Sequence, residues 1–521
     1  MESIPAPERL AETRPETQPP GRAREDSRAV ERLVFLVSLC LIFIMAARAP
    51  VDSDLWWHLT AGRETIQLGH PILVDRMSFT RAGAAWENHS WLGEVILYLV
   101  YQGGGSLLLC GLVALLAAGS MGFVYATMTG PGMLRAFLTL FAAVTAALVW
   151  TPRPELFSLV LFGVVLYILY LFKWKKRDRL WMLIPIFILW SNLHGGYVLG
   201  LLLIGAYIAG ELLSRLLLDS PADRLEDKAL VRLGLWGFLS GLAVLINPNG
   251  LNTWLEPFRT VQVAALQKYI SEWASPNFHD IGQQAMLLLF FLGLVSFALS
   301  REKPSVADLV AFLLFGYMAF VARRNFGPFA MVAAPTISRR LLPAAQEWQE
   351  KFARRFPDGW HAITNFQKFQ ARQLPIGLRK TINLGLIGAL ALAGILKVYA
   401  EANPSAMDFY TAQAFPVEAV NWIASHRPAG NLLNSYNWGG YLSWNLPGYP
   451  VFIDGRTDLY NDEIINQWLT AVDAEPEWRE MLDKWKIRLV LLEPAWPLAK
   501  ILPDEGWKVY YSDPQAVIFG R

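Results

Sequence analysis

The stretch "LVFLVSLCLIFIMAARAPVDSDLWWHLTAG" (residues 33–62) passes directly from an uncharged apolar run into a pair of carboxylates. A run of this kind is typical of a helix that enters the hydrocarbon core of a bilayer. The "RAP" that ends it resembles a signal-peptide cleavage site, but the long charged leader favours a membrane anchor. On either interpretation, Asp52 and Asp54 lie on the outer side of the membrane.

The composition of the chain predicts a polytopic membrane protein. Hydrophobic residues make up 54% of its 521 residues and charged residues only 17%, whereas a soluble domain carries about 25% charged residues. The net charge of +2 gives no basis for nucleic-acid binding. The only two cysteines, Cys40 and Cys110, lie in apolar runs, which excludes a disulfide framework or a cysteine metal site.

About eleven segments are apolar enough to predict an all-α domain of transmembrane helices. They lie near residues 33–50, 104–127, 134–150, 155–172, 180–192, 197–218, 232–247, 285–300, 306–322, 326–343 and 382–400. Three regions follow: a disordered cytoplasmic tail (1–32), the transmembrane domain (33–400) with an outer loop (51–103), and an extracytoplasmic domain (401–521).

Basic residues support this orientation independently. The "KWKKRDR" loop (173–179) and the basic segment 344–381 fall on the side of the N-terminus, as expected for cytoplasmic loops. The opposite side collects most of the acids, histidines and prolines of the loops. Because irregular polar backbone cannot lie against lipid, we expect these outer loops to line one aqueous cavity.

The two outer carboxylates are the candidate catalytic groups. Asp52 or Asp54 could act as a general base towards an acceptor hydroxyl, or both could bind a divalent cation such as Mg²⁺ or Mn²⁺. The alternative is a helix N-terminus with Asp52 or Ser53 as N-cap. For Trp56 and Trp57, an interfacial position at the lipid headgroups is favoured.

Further candidates for substrate binding are charged or histidine side chains of the outer loops. Arg153 is held between two prolines and suits a phosphate oxygen, although pairing with Glu155 is an equal alternative. Outer arginines run against the positive-inside tendency and indicate an anionic partner, either a lipid phosphate or the protein's own carboxylates. The full set is His58, Glu87, His89, Arg153, Glu155, His194, Glu272, Arg323 and Arg324.

Residues 401–521 predict a soluble α/β domain. We expect strands near 431–435, 450–454, 487–493, 507–512 and 516–520, and helices near 416–426, 462–474 and 477–485. Asp454, Arg456 and Asp458 follow the second predicted strand and are further candidates for substrate binding. The alternative for Asp454 is a tight turn in which it pairs with Arg456.

The strings "DSDLWWHL", "RPE.FS", "NLHGG" and "VFIDGR.D.Y" are similar to those of a group of bacterial membrane proteins assigned to the GT-C-like glycosyltransferases. "NWGGYLSWNLPGYPVFIDGRT" resembles, more loosely, the "WWDYG" region of oligosaccharyltransferase catalytic subunits. Gly439 stands where that motif has its central Asp, so recognition of a glycosylation sequon is not implied.

The resemblance implies a GT-C-like enzyme of the bacterial inner membrane. Such an enzyme would be an inverting hexosyl or pentosyl transferase that moves a sugar from a polyprenyl-phosphate carrier to an extracytoplasmic acceptor. Asp52 or Asp54 would match the first-loop base or metal ligand. Arg153, Arg323 and Arg324 would hold the carrier phosphate, and membrane lipids would surround the spans.

Two other functions stay open. The first is a non-catalytic GT-C-like scaffold or assembly subunit that grips a protein partner through residues 401–521. The second is a transporter, which is less favoured because the ionisable residues gather at one membrane face and no internal repeat is visible.

Overall fold

A computed structural model describes residues 20–217, 224–299, 305–357 and 376–521. Up to residue 402 the described chain is helical, with long apolar helices joined by polar loops. These helices are α1 (Pro20–Ala46), α2 (Leu55–Leu68), α3 (Trp91–Thr127), α4 (Gly132–Ala146), α5 (Glu155–Lys173), α6 (Leu183–Leu193), α7 (Tyr197–Leu217), α8 (Asp227–Ala243), α9 (Asn252–Gln262), α10 (Ala264–Tyr269), α11 (Ile281–Leu299), α12 (Val306–Val321), α13 (Phe326–Arg355) and α14 (Ile376–Ala402). Short 3-10 turns lie at Ala147–Val149, Leu180–Met182, Arg323–Asn325 and Tyr436–Trp438.

Each of the eleven predicted spans falls on one of these helices. Within the described residues, 7 helices are long and apolar enough to cross a membrane, and Leu180–Leu193 and Val306–Val321 are shorter apolar helices. The total of eleven crossings therefore stays a prediction. Helix α3 is kinked at Gly104 and Gly105, where φ is +60° at Gly105. The kink thus separates the first part of α3, residues 91–103, from the span predicted to begin at residue 104.

Close contacts between small residues hold the bundle together. A Cβ on Gly210 of α7 would lie 2.3 Å from the Cα of Ala307 in α12. Backbones that approach so closely gain van der Waals contact, which is the main packing force between helices in lipid. Fully buried aromatic side chains such as Phe162, Phe312 and Phe315 fill the space between helices.

The N-terminal tail differs in part from the prediction of disorder. Residues 20–32 belong to α1, because their Arg, Ala and Glu favour helix and the helical apolar run continues them. Residues 1–19 lie outside the described part of the chain.

The C-terminal region is a small α/β unit with a four-stranded sheet in the order β1-β2-β4-β3. Strands β1 and β2 pair in parallel, and the other pairs are antiparallel. Its strands are β1 (Asn431–Asn434), β2 (Ile487–Leu492), β3 (Lys508–Ser512) and β4 (Val517–Gly520). Its helices are α15 (Pro404–Ala414), α16 (Val417–His426), α17 (Gly439–Asn445), α18 (Thr457–Val472), α19 (Trp478–Lys484) and α20 (Pro497–Ile501).

The strand predicted at 450–454 is wrong, although the other four strands are confirmed. Val451 forms only isolated bridges, to Ser78 and to Leu432. The Asn434 side chain makes the hydrogen bonds that a neighbouring strand would otherwise make. Its Oδ1 accepts the backbone N–H of Phe452 at 2.8 Å, and its Nδ2 donates to the carbonyl of Ile453 at 2.8 Å. A side-chain amide satisfies these backbone groups without a ladder.

The C-terminal unit packs directly on α2. Trp56 and Trp57 are each only 7% exposed, and the Trp56 ring lies 5.4 Å from the Tyr441 ring in an edge-to-face contact. A Cβ on Gly440 would lie 2.8 Å from the backbone oxygen of Ser53, so glycine permits this approach. The interfacial position favoured for the two tryptophans is wrong, because the C-terminal unit covers them.

Candidate active site

A cavity of about 610 Å³ opens where α2, the start of α5 and the C-terminal unit meet. Its apolar lining residues include Leu159, Val198, Leu199, Met318 and Val321, which belong to helices α5, α7 and α12. Its polar lining residues include nine of the fourteen predicted site residues: Asp54, His58, His89, Arg153, Glu155, His194, Glu272, Arg324 and Asp458. The loops expected to converge do so at this cavity.

Arg153 is bound by three carboxylates at the edge of the cavity. Its Nε donates to Asp52 at 2.8 Å, and its Nη1 lies 2.9 Å from Asp54 and 3.1 Å from Glu272. Glu155, two residues away, is not among these ion-pair partners. The proposed Arg153–Glu155 pair is therefore wrong, because the prolines on either side turn Arg153 towards the first outer loop.

Asp54 lines the cavity, and its side chain does not cap α2. It occupies the N-cap position of α2 but makes no side-chain cap bond, whereas Asp52 accepts the backbone N–H of Asp54 at 2.9 Å. Burial raises the pKa of Asp54 to about 7, with further raising by Asp52 and Glu272 and an opposing effect of Arg153. A carboxylate with such a pKa can take up a proton near neutral pH.

Arg324 forms no ion pair within 4.0 Å in the described part of the chain, although its charge interacts with that of Glu155. Its guanidinium lies 4.4 Å above the Trp273 ring, and its backbone N–H donates to the carbonyl of Glu272 at 3.0 Å. The preceding residue, Arg323, bonds through its backbone to Ala274 and is not among the cavity-lining residues. Adjacent side chains of a tight turn point in different directions, so only Arg324 meets the prediction of a cavity arginine open to an anion.

The surroundings of two cavity histidines, His58 and His89, shift their pKa values in opposite directions. Burial lowers the pKa of His58 well below its usual value, and the Arg153 charge adds to this; its Nδ1 lies 3.1 Å from Glu94. Burial also acts to lower the pKa of His89, but Glu256, 3.8 Å away, and other carboxylates raise it overall. His58 is therefore neutral, while His89 favours the charged form.

Sequence reasoning missed two polar residues of this site, Ser158 and Glu256. The Ser158 hydroxyl lies 2.8 Å from His194 Nδ1. Ser158 follows Glu155 by three residues, which places both on one face of α5, and this spacing was the available signal. Glu256 lies on the short helix α9 among polar residues and carried no comparable signal.

The fold has solved counterparts, although no family model matches the sequence and no curated protein was found to match it. The apo oligosaccharyltransferase of Archaeoglobus fulgidus aligns over 88% of this chain and 69% of its own, with a TM-score of 0.56 and 12% identity. The oligosaccharyltransferase AglB of the same organism, in complex with an inhibitory peptide and a dolichol-phosphate, aligns over 94% of this chain and 74% of its own, with a TM-score of 0.58 and 12% identity.

The chain has a GT-C-like fold. A third structure, ArnT from Cupriavidus metallidurans bound to undecaprenyl phosphate, aligns over 96% of this chain and 98% of its own, with a TM-score of 0.46 and 14% identity.

Two of the predicted binding residues serve the GT-C-like scaffold instead of the cavity. Asp454 and Arg456 are fully buried and paired at 2.7 Å, and Arg456 also lies 2.6 Å from Asp75 of the outer loop. The alternative of an Asp454–Arg456 pair is confirmed. Neither residue lines the large cavity, so a binding role for them stays a prediction.

Glu87 and Asp458 lie at a smaller cavity of about 220 Å³. Glu87 forms an ion pair with Arg259 and is absent from the lining of the large cavity. Asp458 lines both cavities and accepts the indole N–H of Trp86 at 3.3 Å. Glu87 is therefore placed beside the large cavity and not in it.

The metal prediction rests on Asp52 and Asp54, and both carboxylates already contact the Arg153 guanidinium. Among the described residues no group of three or more Asp, Glu, His or Cys side chains is arranged to hold a metal ion. In this arrangement the residues do not form a cation site of the oxygen-rich kind that Mg²⁺ or Mn²⁺ prefers. The expectation of a bound divalent cation stays a prediction.

Proposed function

We propose that the protein is a membrane glycosyltransferase that moves a sugar from a polyprenyl-phosphate carrier to an extracytoplasmic acceptor hydroxyl. The observation that carries the proposal is that Asp54 and Arg324 line one cavity together with apolar residues of α5, α7 and α12. This cavity can take an apolar chain, an anionic headgroup and a polar acceptor together. The GT-C-like fold supports the proposal, since the solved structure of AglB, which has a similar fold, is a complex with a dolichol-phosphate.

The chemistry proposed is a single displacement. The acceptor oxygen attacks the anomeric carbon while Asp54 takes the hydroxyl proton. The bond between that carbon and the phosphate oxygen breaks, and its electron pair leaves with the lipid phosphate. Arg324 stabilises the charge that develops there. Attack opposite to the departing phosphate inverts the anomeric configuration, for a hexose or a pentose alike.

The proposed location follows from the same arrangement. We propose that the chain lies in the bacterial inner membrane, with its N-terminus in the cytoplasm and residues 401–521 outside. The acceptor would then reach the cavity from the aqueous side, between the outer loop and the C-terminal unit.

Two substitutions separate the proposed roles. Arg324→Met should weaken binding of a polyprenyl phosphate by tenfold or more, about the effect of losing a charged hydrogen bond. Asp54→Asn should leave that binding nearly unchanged and abolish sugar transfer. Arg323→Met is the matched control, because it removes a neighbouring arginine that does not line the cavity. Binding is measured by titration in nanodiscs, and transfer by mass spectrometry of lipid-linked sugars in cells.

Full transfer activity in Asp54→Asn and in Asp52→Asn, alone and combined, would overturn the enzyme proposal. A stoichiometric protein partner and no affinity for polyprenyl phosphate would favour the scaffold function instead.

A further inference from the structure

The end of α6 fixes the position of His194 at the cavity wall. The His194 N–H makes the last helical bond, to the carbonyl of Trp190 at 2.9 Å, and two glycines follow. A Cβ on Gly196 would lie 2.4 Å from the Ser158 hydroxyl and 3.0 Å from His194 Nδ1. Glycine is required there because the backbone passes directly over the imidazole.

Two hydrogen bonds then determine which ring nitrogen carries the proton. The backbone N–H of Gly196 donates to His194 Nδ1 at 3.0 Å, and a backbone amide can only donate. The indole N–H of Trp190 donates to the Ser158 oxygen at 2.7 Å. Because Nδ1 already accepts from Gly196 and so carries no hydrogen, Ser158 donates its hydroxyl hydrogen to Nδ1, 2.8 Å away. Nδ1 is an acceptor in both bonds, so a neutral imidazole carries its single proton on Nε2.

The Nε2 side of the ring is left for a ligand. His194 lines the cavity, and within the described chain no hydrogen bond reaches its Nε2. The centre of the His89 ring lies 5.8 Å from the centre of the His194 ring. Burial lowers the pKa of His194 well below its usual value, and the charges of His89 and Arg324 lower it further. This corner of the cavity thus combines cationic groups with one neutral donor.

We propose that His194 is a binding residue whose Nε2–H is a fixed hydrogen-bond donor to a phosphate oxygen of the lipid carrier, in the cavity that Arg324 also lines. This inference rests on the proposed function for the identity of the ligand. The hydrogen-bond chain from Trp190 through Ser158 prevents the ring from presenting a bare nitrogen to the phosphate, which would repel it. The donor is set before the ligand arrives, so no reorganisation is needed on binding.

The tautomer can be measured without any assay of function. The chain contains only seven histidines, so ¹³C and ¹⁵N ring resonances of histidine-labelled protein in nanodiscs can be assigned by the one that His194→Gln removes. We expect the Nε2–H tautomer and a neutral ring from pH 6.5 to 8. An Nδ1–H tautomer, or a ring that becomes charged within that range, would overturn the inference.

Binding of undecaprenyl phosphate tests the ligand. Glutamine carries an amide N–H close to the place of Nε2, so we expect His194→Gln to bind within about twofold of wild type and His194→Ala to bind roughly tenfold more weakly. His279→Gln, an exposed histidine, is the control. Equal affinity of His194→Ala and wild type would overturn the inference alone. Absence of binding by the wild type would instead overturn the proposed function and the phosphate role with it, whatever the tautomer.

Discussion

At the scale of single residues, the site depends on which charged groups face each other. Arg153 is engaged by three carboxylates, whereas Arg324 stacks on a tryptophan ring and forms no ion pair with a carboxylate in the described part of the chain. Asp54 is poised because burial and two neighbouring acids oppose one arginine. Small changes in this balance should alter the pH dependence of the reaction.

The pH profile of transfer should therefore respond in opposite directions to two substitutions. Asp54 acts as a base only when deprotonated, so with a pKa of about 7 the rate should fall as the pH drops through 7. Glu272→Gln removes a charge that raises the pKa of Asp54, so the acidic limb of the pH–rate profile should move to lower pH. Arg153→Met removes a charge that lowers this pKa, so the acidic limb should move to higher pH. Each shift should be about one pH unit, as expected for a contacting charge.

Rate measurements between pH 5 and 9 check these shifts. Glu87→Gln, an identical change beside the smaller cavity, should leave the limb in place. Limbs that coincide in wild type and Glu272→Gln would disprove the assignment of Asp54 as the base.

Gly455 offers a second test, because it lies against the carboxylate of Asp54, the proposed base. A Cβ at this position would lie 1.9 Å from Asp54 Oδ1. Gly455→Ala should therefore displace Asp54 and lower kcat by at least tenfold, since small misplacements of a reacting group are costly. Gly385→Ala, where nothing lies within 4 Å of the added carbon, should be neutral. Wild-type kcat in a folded Gly455→Ala protein would contradict this placement of the carboxylate.

At the scale of elements, the apolar patterns of the sequence predict the helices, but they do not predict the contacts between the loops. Every predicted span falls on a helix, because hydrophobic runs of that length have few alternatives. The partners of Arg153 could not be predicted, since the loop of Asp52 and Asp54 and the loop of Glu272 lie far from Arg153 in the sequence and only the tertiary fold brings them together. The same holds for the burial of Arg456, whose partner Asp75 lies 381 residues away.

Arg456 of the C-terminal unit binds Asp75 of the outer loop, so its loss should weaken the contact between this unit and the loop. Arg456→Met leaves Asp75 and Asp454 buried without a cation, which typically costs about 3–5 kcal/mol. We expect a corresponding fall in the free energy of unfolding of the C-terminal unit in urea, partly restored by adding Asp75→Asn and Asp454→Asn. Arg479→Met, which breaks an exposed pair with Glu505, is the control. Equal stability of Arg456→Met and wild type would contradict the structural role.

The ion pair also predicts a pH dependence. Burial alone would raise the pKa of Asp75, but Arg456 and hydrogen bonds lower it overall. Its stabilising contribution is therefore complete at neutral pH and is lost as the pH falls through this lowered pKa. Wild type should lose stability on acidification below about pH 4, and Asp75→Asn should show less of that loss in urea titrations.

At the scale of the whole molecule, the bilayer sorts the chain. The GT-C-like fold places the outer loop, Arg153, His194, Arg324 and residues 401–521 around one cavity at one end of the helices. Charge segregation in the sequence predicts this clustering, because polar loops must leave the hydrocarbon together. The shape of the cavity and the burial of the tryptophans follow from docking of the C-terminal unit, which leaves no pattern in the sequence.

The orientation of the chain can be tested by labelling. In a protein without Cys40 and Cys110, an exposed residue of the C-terminal unit, Asp504→Cys, should react with an impermeant maleimide from outside the cell. Lys176→Cys, in the basic loop, should react only after the membrane is opened. Labelling of both from the same side would contradict the proposed topology.

The proposed function requires that this cavity holds a lipid phosphate at Arg324 within reach of Asp54. A cryo-electron microscopy map of the wild-type protein in nanodiscs with undecaprenyl phosphate can show whether it does. We expect phosphate density beside the Arg324 guanidinium, with the lipid chain along α7 and α12. A headgroup bound elsewhere, or a cavity without lipid at saturating concentration, would disprove this binding mode.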